Sequence, residues 1–370
     1  MRSILVLAAV VPALVQATVF PVPDGPYTVK WESSELIDHG RVDPFNSSHP
    51  RRMMVSQFTP VPKSRCKGTC RVPYMPPSIA AIEDDILDSF LSDIGWPNGL
   101  LKTLELELCC EIQQKPYGWE RKFPQILFGT GLNTTRLFYS SIAQQLSSLG
   151  YEVIVMDHPY ETDVVQFPNG DIIYGGHIGR DPNNTAELRF GLDVRTQDAS
   201  FVLNHFNIRK TVYIGQSFGG SAAASAMIDE SRIAGGVNLD GILWGREIDI
   251  GVPKPFLIFG SEGHNSTSEP TFAEFFDAMK ERHPNVWTRE LNLKDSVHGS
   301  YWDMSIVGDI TGLRNNEELV ELWFGKATGA RVVEVLRAYL GAFVGFALGN
   351  AGEGLLSGPN SKYPDVSFVR

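Results

Sequence analysis

The chain has 370 residues, 43% of them apolar and 20% charged, enough apolar material for one large core or two of ordinary size. Its formal charge of −11 argues against nucleic acid, whose phosphates need clustered Lys and Arg, and against tight docking on an anionic lipid surface. At most, a transient membrane-surface contact is compatible with that balance.

The chain begins MRSILVLAAVVPALVQA, with a basic Arg2, an apolar run from Ile4 to Leu14 and a small-residue end at Val15-Gln16-Ala17. This predicts a signal peptide over 1–17, too short to span a bilayer, and a secreted chain over 18–370. Four N-x-S/T sequons agree with export and make Asn46, Asn133, Asn183 and Asn265 glycosylation candidates. Thr28–Trp31 and Arg52–Phe58 read as early strands separated by a polar, Pro-containing turn. Residues 62–120 differ in character. They carry all four cysteines and many prolines, and a helical stretch from Ser78 to Ile94 places Ile79, Ile82, Ile86, Phe90 and Ile94 on one stripe. They are expected to form a Cys-bearing insert in a single domain.

Cys66, Cys70, Cys109 and Cys110 are an even number in an exported chain, which predicts disulfides. C-x₃-C and an adjacent pair lack the spacing of a zinc site. Bridges from the 66–70 segment to the 109–110 segment are expected, with Cys66–Cys70 plus a bridge between the adjacent pair as the alternative. Spacing does not choose among the three pairings.

From residue 124 the rhythm becomes strand, helix, strand, helix. QILFGTG is a buried strand, Thr134–Leu149 a helix stopped by Gly150, and EVIVMD a strand followed by a long loop over 157–181. Thr185–Phe206 is helical, TVYIG a strand, Phe218–Ile228 a helix and AGGVNLD a strand. PFLIFG, a helix over Phe272–Arg282 and the strand VWTRELNL follow, and Glu317–Leu348 closes with helix. Its apolar part, Val335–Leu348, contains Arg337 and is short for a membrane span. The alternation predicts an α/β fold, a mostly parallel central sheet with helices on both faces.

Gly215-Gln216-Ser217-Phe218-Gly219 is G-x-S-x-G between a predicted strand and a predicted helix, the context a nucleophile elbow requires. The glycines permit the sharp turn, and the helix N-terminus favours developing negative charge at Ser217. A serine hydroxyl needs a base. In α/β-hydrolases the chain order is serine, acid, histidine, each beyond a strand end. His264 and His283 follow the serine but precede the last predicted strand, whereas His298, in KDSVHGSYWD, comes just after it and is the candidate. For the acid, Asp240 ends AGGVNLD and Glu262 follows PFLIFG, and both are open to the role. The oxyanion donors are expected at the backbone N–H of Phe218 and, from the loop after QILFGTG, of Leu132. Gly129 and Gly131 do not make a dinucleotide loop, because G-T-G-L-N-T lacks the third glycine. No cofactor is needed for this chemistry. Trp244 and Trp302 each lie four residues after a candidate triad member, placed for an acyl pocket or for ordinary core packing.

The segments FGTGLNTTRLFYSSIAQQLSSLGY, GQSFGG, VNLDG, SVHGSYWD and SGPNSKYPDVSF resemble the platelet-activating-factor acetylhydrolase family in its secreted fungal branch. The resemblance covers most of residues 26–368. It implies an α/β-hydrolase fold, a triad at Ser217, Asp240 and His298, and oxyanion donors at Leu132 and Phe218. It also implies hydrolysis of short or oxidised acyl esters, small-molecule or lipid, without metal. Thr130 stands where the family usually has His, and the 157–176 loop is long. A general carboxylesterase or polyester hydrolase is the alternative reading, and an inactive binding protein on the same fold a remoter one.

Overall fold

The computed structural model describes residues 17–91, 94–113, 122–181 and 184–370. Residues 1–16 of the expected signal peptide and the Asn183 sequon lie outside the described residues.

Strands β1 (Thr18–Val19), β2 (Tyr27–Val42), β3 (Pro50–Pro62) and β4 (Cys66–Pro73) precede helix α1 (Pro77–Phe90) and β5 (Leu104–Ile112). Then come β6 (Gln125–Gly129), α2 (Ser140–Ser147), β7 (Glu152–Met156), β8 (Val164–Gln166), β9 (Ile172–Tyr174) and α3 (Thr185–His205). The remainder is β10 (Thr211–Gln216), α4 (Phe218–Asp229), β11 (Ile233–Leu239), α5 (Glu247–Ile250), β12 (Phe256–Ser261), α6 (Pro270–Arg282), β13 (Thr288–Leu293), α7 (Met304–Thr311), α8 (Glu317–Leu319), α9 (Gly329–Ala347) and β14 (Val366–Phe368).

Nine strands form the central sheet in the order β14-β13-β12-β11-β10-β6-β7-β3-β2. β13 through β7 are parallel, and β14, β3 and β2 run antiparallel at the flanks. This is the expected mostly parallel sheet. Its central strands are apolar runs rather than alternations because both faces are covered. Phe128, Val153, Val155, Val212, Ile214, Val237 and Leu257 point to one side, where α2, α9 and α1 pack. Leu127, Ile154, Tyr213, Phe256 and Ile258 point to the other, against α3, α4 and α6.

Local chemistry sets the helix starts. The Asn184 side chain accepts the Glu187 N–H at the start of α3, and Thr328 accepts the Arg331 N–H at the start of α9. At α6, Glu269 accepts the Thr271 N–H and Pro270 fills the first turn.

The outcome departs from sequence expectation in several places. The two early strands extend into a ribbon over 27–42 and 50–62, whose polar outer residues face solvent at the sheet edge and so give no apolar signal. In α1 the buried face is Ile79, Ala80, Glu83, Asp84 and Leu87, rotated from the isoleucine stripe, and Phe90 is 67% exposed. Two acids sit on that face by different means. Asp84 Oδ1 accepts Trp96 Nε1–H and the Leu101 N–H, while Glu83 lies near Asp163 and burial pushes its carboxyl pKa well up, which favours the neutral acid. The closing helical region is broken: α8 runs into a π-turn over Val320–Phe324 and stops at Gly325 before α9 begins. Among the described residues no helix is long and apolar enough to cross a membrane.

β1, β5 and β4 form a small separate sheet. Across it Cys66 bridges Cys109 and Cys70 bridges Cys110, each pair with Cα atoms 5.8 Å apart. The antiparallel register, with Thr69 opposite Cys109 and Cys70 opposite Leu108, brings the cysteine segments face to face. Tyr74, Leu104 and Leu106 join the same apolar cluster as the central sheet, so the insert packs on the body of the fold.

Candidate active site

The parallel register of β10 and β11 pairs Gln216 with Leu239, so the next residue of each strand, Ser217 and Asp240, leaves the same edge of the sheet. Both turn with positive φ, 54° at Ser217 and 59° at Asp240, a conformation L-residues rarely adopt. Close packing imposes the first turn. A Cβ at Gly215 would lie 1.9 Å from the Gly219 carbonyl oxygen, and one at Gly219 would lie 2.4 Å from that of Gly129. The sheet edge fixes the turns further. The Ser217 N–H donates to the Leu239 carbonyl at 2.8 Å, and the Asp240 N–H to the Phe259 carbonyl at 3.1 Å. Asn238 clamps the second turn, accepting the Gly241 N–H at 2.8 Å and donating to the Gly241 carbonyl at 2.6 Å.

His298 opens a short 3₁₀ turn, His298–Tyr301, beyond β13. Tyr301 Oη donates to the Gly260 carbonyl at 2.6 Å and Ser300 Oγ to the Phe324 carbonyl at 3.0 Å, which ties the turn to the sheet edge. The His298 Nδ1 lies 2.7 Å from Asp240 Oδ2, and its side chain is 55% exposed. Asp240 is buried. Burial alone would raise its carboxyl pKa, but hydrogen bonds from His264 and His298 outweigh that and hold it at about 2. The other sequence candidate, Glu262, is exposed, and its Oε2 accepts the Asp295 N–H at 2.9 Å.

The Leu132 loop is held from below by a buried arginine. Arg195 pairs with Glu161 through Nε and Nη2, and donates to the carbonyls of Thr130 and, at 2.9 Å, of Gly131. Its guanidinium carbon sits 4.8 Å from the centre of the Phe218 ring, so one cation supports both candidate oxyanion segments. Leu132 and Trp244 pack against a cluster of Ile178, Leu188, Leu192, Phe218 and Ala222. Trp302 lies elsewhere, its ring 5.2 Å from Phe138 and 5.4 Å from Trp323.

Four contacts were not visible from the motifs. The Gly131 N–H donates to Tyr139 Oη at 2.8 Å, and Tyr139 Oη donates to Gln216 Oε1 at 2.9 Å. That leaves the Gln216 Nε2–H₂ directed at His298 Nε2, 3.3 Å away. His264 Nδ1 meets Asp240 Oδ1 at 2.8 Å. The chain-order rule that favours His298 sets His264 aside, and no motif marks it. Of the sequons among the described residues, Asn133 is exposed, while the side-chain amides of Asn46 and Asn265 donate to Tyr160 Oη and Asn292 Oδ1. Among the described residues no group of three or more His, Cys, Asp or Glu is placed to hold a metal ion.

Comparison with known proteins places the chain in a family. The family described as platelet-activating factor acetylhydrolase, isoform II, matches residues 99–167. The chain is 39% identical over 383 residues to a probable 1-alkyl-2-acetylglycerophosphocholine esterase of Arthroderma benhamiae, covering 99% of this chain and 97% of that protein. It is 24% identical over 234 residues to the platelet-activating factor acetylhydrolase of Cavia porcellus, covering 52% of each. The fold superposes on a ferulic acid esterase from Streptomyces cinnamoneus with a TM-score of 0.77 at 24% identity, covering 96% of this chain and all of that one, which shows the α/β-hydrolase fold. With that identity to the fungal esterase, over nearly the full length of both proteins, the chain belongs to the platelet-activating factor acetylhydrolase family of ester hydrolases.

Proposed function

We propose that the chain is a secreted serine esterase, a single α/β-hydrolase domain that cleaves short acyl esters such as the acetyl group of 1-alkyl-2-acetylglycerophosphocholine. The observation that carries this reading is the 2.7 Å contact between His298 Nδ1 and the buried Asp240 carboxylate, at the sheet edge where Ser217 turns with positive φ.

The chemistry follows from these groups. With Nδ1–H donated to Asp240, the neutral His298 ring carries its lone pair at Nε2, where the Gln216 amide must give way to Ser217 Oγ. The Ser217 Oγ attacks the ester carbonyl carbon, and its proton passes to His298 Nε2. The imidazolium so formed faces a carboxylate that stays ionised because its pKa is held at about 2. The negative carbonyl oxygen is met by the backbone N–H groups of Leu132 and Phe218. Phe218 is the first residue of α4, so the helix dipole adds to its N–H. His298 returns the proton to the leaving alcohol oxygen, and the acyl group remains on Ser217. Water, deprotonated by His298, then attacks the acyl carbon, the bond to Ser217 Oγ breaks, and His298 returns the proton to Oγ as the acid leaves. The partly exposed Leu132 and Trp244, backed by Ile178 and Phe218, offer apolar surface for the alkyl part of a short acyl group.

Export is supported by the 1–17 leader pattern and by the two disulfides. The test is a substrate panel running from p-nitrophenyl acetate and butyrate to palmitate, with 1-alkyl-2-acetylglycerophosphocholine alongside. Faster turnover of the acetyl and butyryl esters is expected. A preference for palmitate that rises at a lipid interface would contradict the reading, and turnover of simple acetates without the phospholipid would narrow it to a general carboxylesterase.

A further inference from the structure

Asp240 receives two histidines. Its Oδ2 accepts from His298, while its Oδ1 accepts both His264 Nδ1–H at 2.8 Å and the Ser261 N–H. A triad needs only the first of these contacts. His264 stands on the turn after β12, 25% exposed at its side chain, with its ring 5.0 Å from Phe272. Its neighbour Asn265 donates to Asn292 Oδ1 at 2.7 Å, and Asn292 donates to the His264 carbonyl at 2.9 Å, so the turn is held on both sides.

We infer that His264 is a positioning residue for the esterase reaction: it anchors the second oxygen of Asp240 and, by its own protonation, sets how much of the carboxylate's charge is left for His298. The inference rests on the triad reading proposed above.

The physical case has two parts. The first is orientation. A carboxylate accepting on one oxygen can rotate away from its partner, whereas donors on Oδ1 from both a side chain and the backbone fix the plane in which Oδ2 meets His298. The second is charge. His264 faces Asp240 through Nδ1, Glu269 Oε2 lies 3.9 Å from its Nε2, and Glu290 acts on it at longer range. His298 lies on the far side of the same carboxylate. The hydrogen bond to Asp240 favours the protonated ring, against its partial burial, so His264 takes up its proton above the ordinary histidine range. Once His264 is charged, the Asp240 carboxylate is shared, and protonating His298 places a second cation on one anion. The two protonations therefore oppose each other. The sign follows directly: a protonated His264 lowers the pKa of His298, keeps it available as a base, and extends activity to lower pH.

Two variants separate these parts. In His264→Asn the side-chain amide can occupy the place of Nδ1–H and keep the donor to Oδ1, but it cannot be charged. In His264→Phe the volume stays and the donor is lost. Kinetics of p-nitrophenyl acetate hydrolysis are measured from pH 4.5 to 9, with folding checked by thermal melting. For His264→Asn, kcat at the alkaline plateau should stay within about threefold of wild type, while the acid limb of kcat/KM moves up by about half a pH unit or more. For His264→Phe, kcat should fall by about tenfold or more at every pH, with KM little changed. A merely structural histidine would leave the limb in place. Superimposed acid limbs for wild type and folded His264→Asn overturn the inference, as does wild-type kcat in His264→Phe. If His264→Phe does not fold, the His264→Asn limb decides. Asp240→Asn serves as control: full activity there would defeat the triad reading itself, whereas a crippled Asp240→Asn beside unshifted limbs would defeat only the role of His264.

Discussion

The stapled sheet and the candidate catalytic edge are held in shape by different means. In the sheet of β1, β5 and β4, two covalent bridges, Cys66–Cys109 and Cys70–Cys110, fasten β4, every second residue of which is exposed, to the better buried β5. At the carboxyl ends of β10 to β13 there is no covalent tie. Strand register, Asn238, Arg195 and the two histidines on Asp240 hold Ser217 and Asp240 in backbone conformations that cost free energy. The difference teaches where each region's sensitivity lies. Damage to the edge should abolish chemistry in a folded protein, and damage to the staples should lower stability while leaving the chemistry intact.

The largest expected effect lies at the edge. Asp240→Asn keeps the shape but loses the charge that stabilises the imidazolium and favours the wrong tautomer of His298. A loss of kcat of up to about 10⁴ is expected, read by ester hydrolysis at matched melting temperature. Glu262→Gln, one strand over and exposed, should cost less than tenfold. If Glu262→Gln were the crippled variant, the acid would lie after the later strand.

The staples should behave in the opposite way. The bridges interleave, closing sequence separations of 43 and 40 residues, so either one keeps the long loop closed when the other is removed. Replacing all four cysteines by serine should cost about 4 kcal/mol in the chain-entropy account, clearly more than losing one bridge, with kcat within about threefold of wild type. Denaturant titration of single-bridge and bridge-free variants reads this. Equal losses from one bridge and from both would contradict the interleaved account.

A smaller effect joins the insert to the long loop. Glu83 of α1 and Asp163 share a buried site. Burial first, and then the neighbouring acid, pushes Glu83 well above the carboxylate range, while burial lifts Asp163 to about 7. Carboxyls whose pKa is raised by folding are at their most favourable below the unfolded values, and lose stability as pH rises toward 7. Glu83→Gln should therefore raise the melting temperature at pH 8, by on the order of 2 °C or more, with the gap narrowing at pH 5. An equal gap at both pH values would remove titration as its cause.

Much of this arrangement is legible in the sequence because short-range chemistry dictates it. The serine elbow is written in Gly215 and Gly219, whose missing Cβ atoms the close packing demands, and the parallel sheet in apolar runs such as VYI and LIF. The His298 turn follows from chain order. What could not be read depends on contacts between distant segments. The choice of Asp240 over Glu262 as the partner of His298 needs the register of β11 on β12, and the second histidine on Asp240 needs the path of the turn after β12. The disulfide pairing needs the register of β4 on β5. The rotated face of α1 was hidden because Asp84 is buried against Trp96, 12 residues away, and Glu83 is buried near Asp163, about 80 residues away.

The central claim, that Ser217 is the nucleophile, is tested most directly by fluorophosphonate labelling of wild type and Ser217→Ala, with peptide mass spectrometry and ester turnover on the same samples. The account predicts one adduct, on Ser217, together with complete loss of turnover on labelling. It also predicts a Ser217→Ala protein that melts like wild type but has kcat lower by about 10³ or more. An adduct on another serine, or near-full turnover by folded Ser217→Ala, would contradict it.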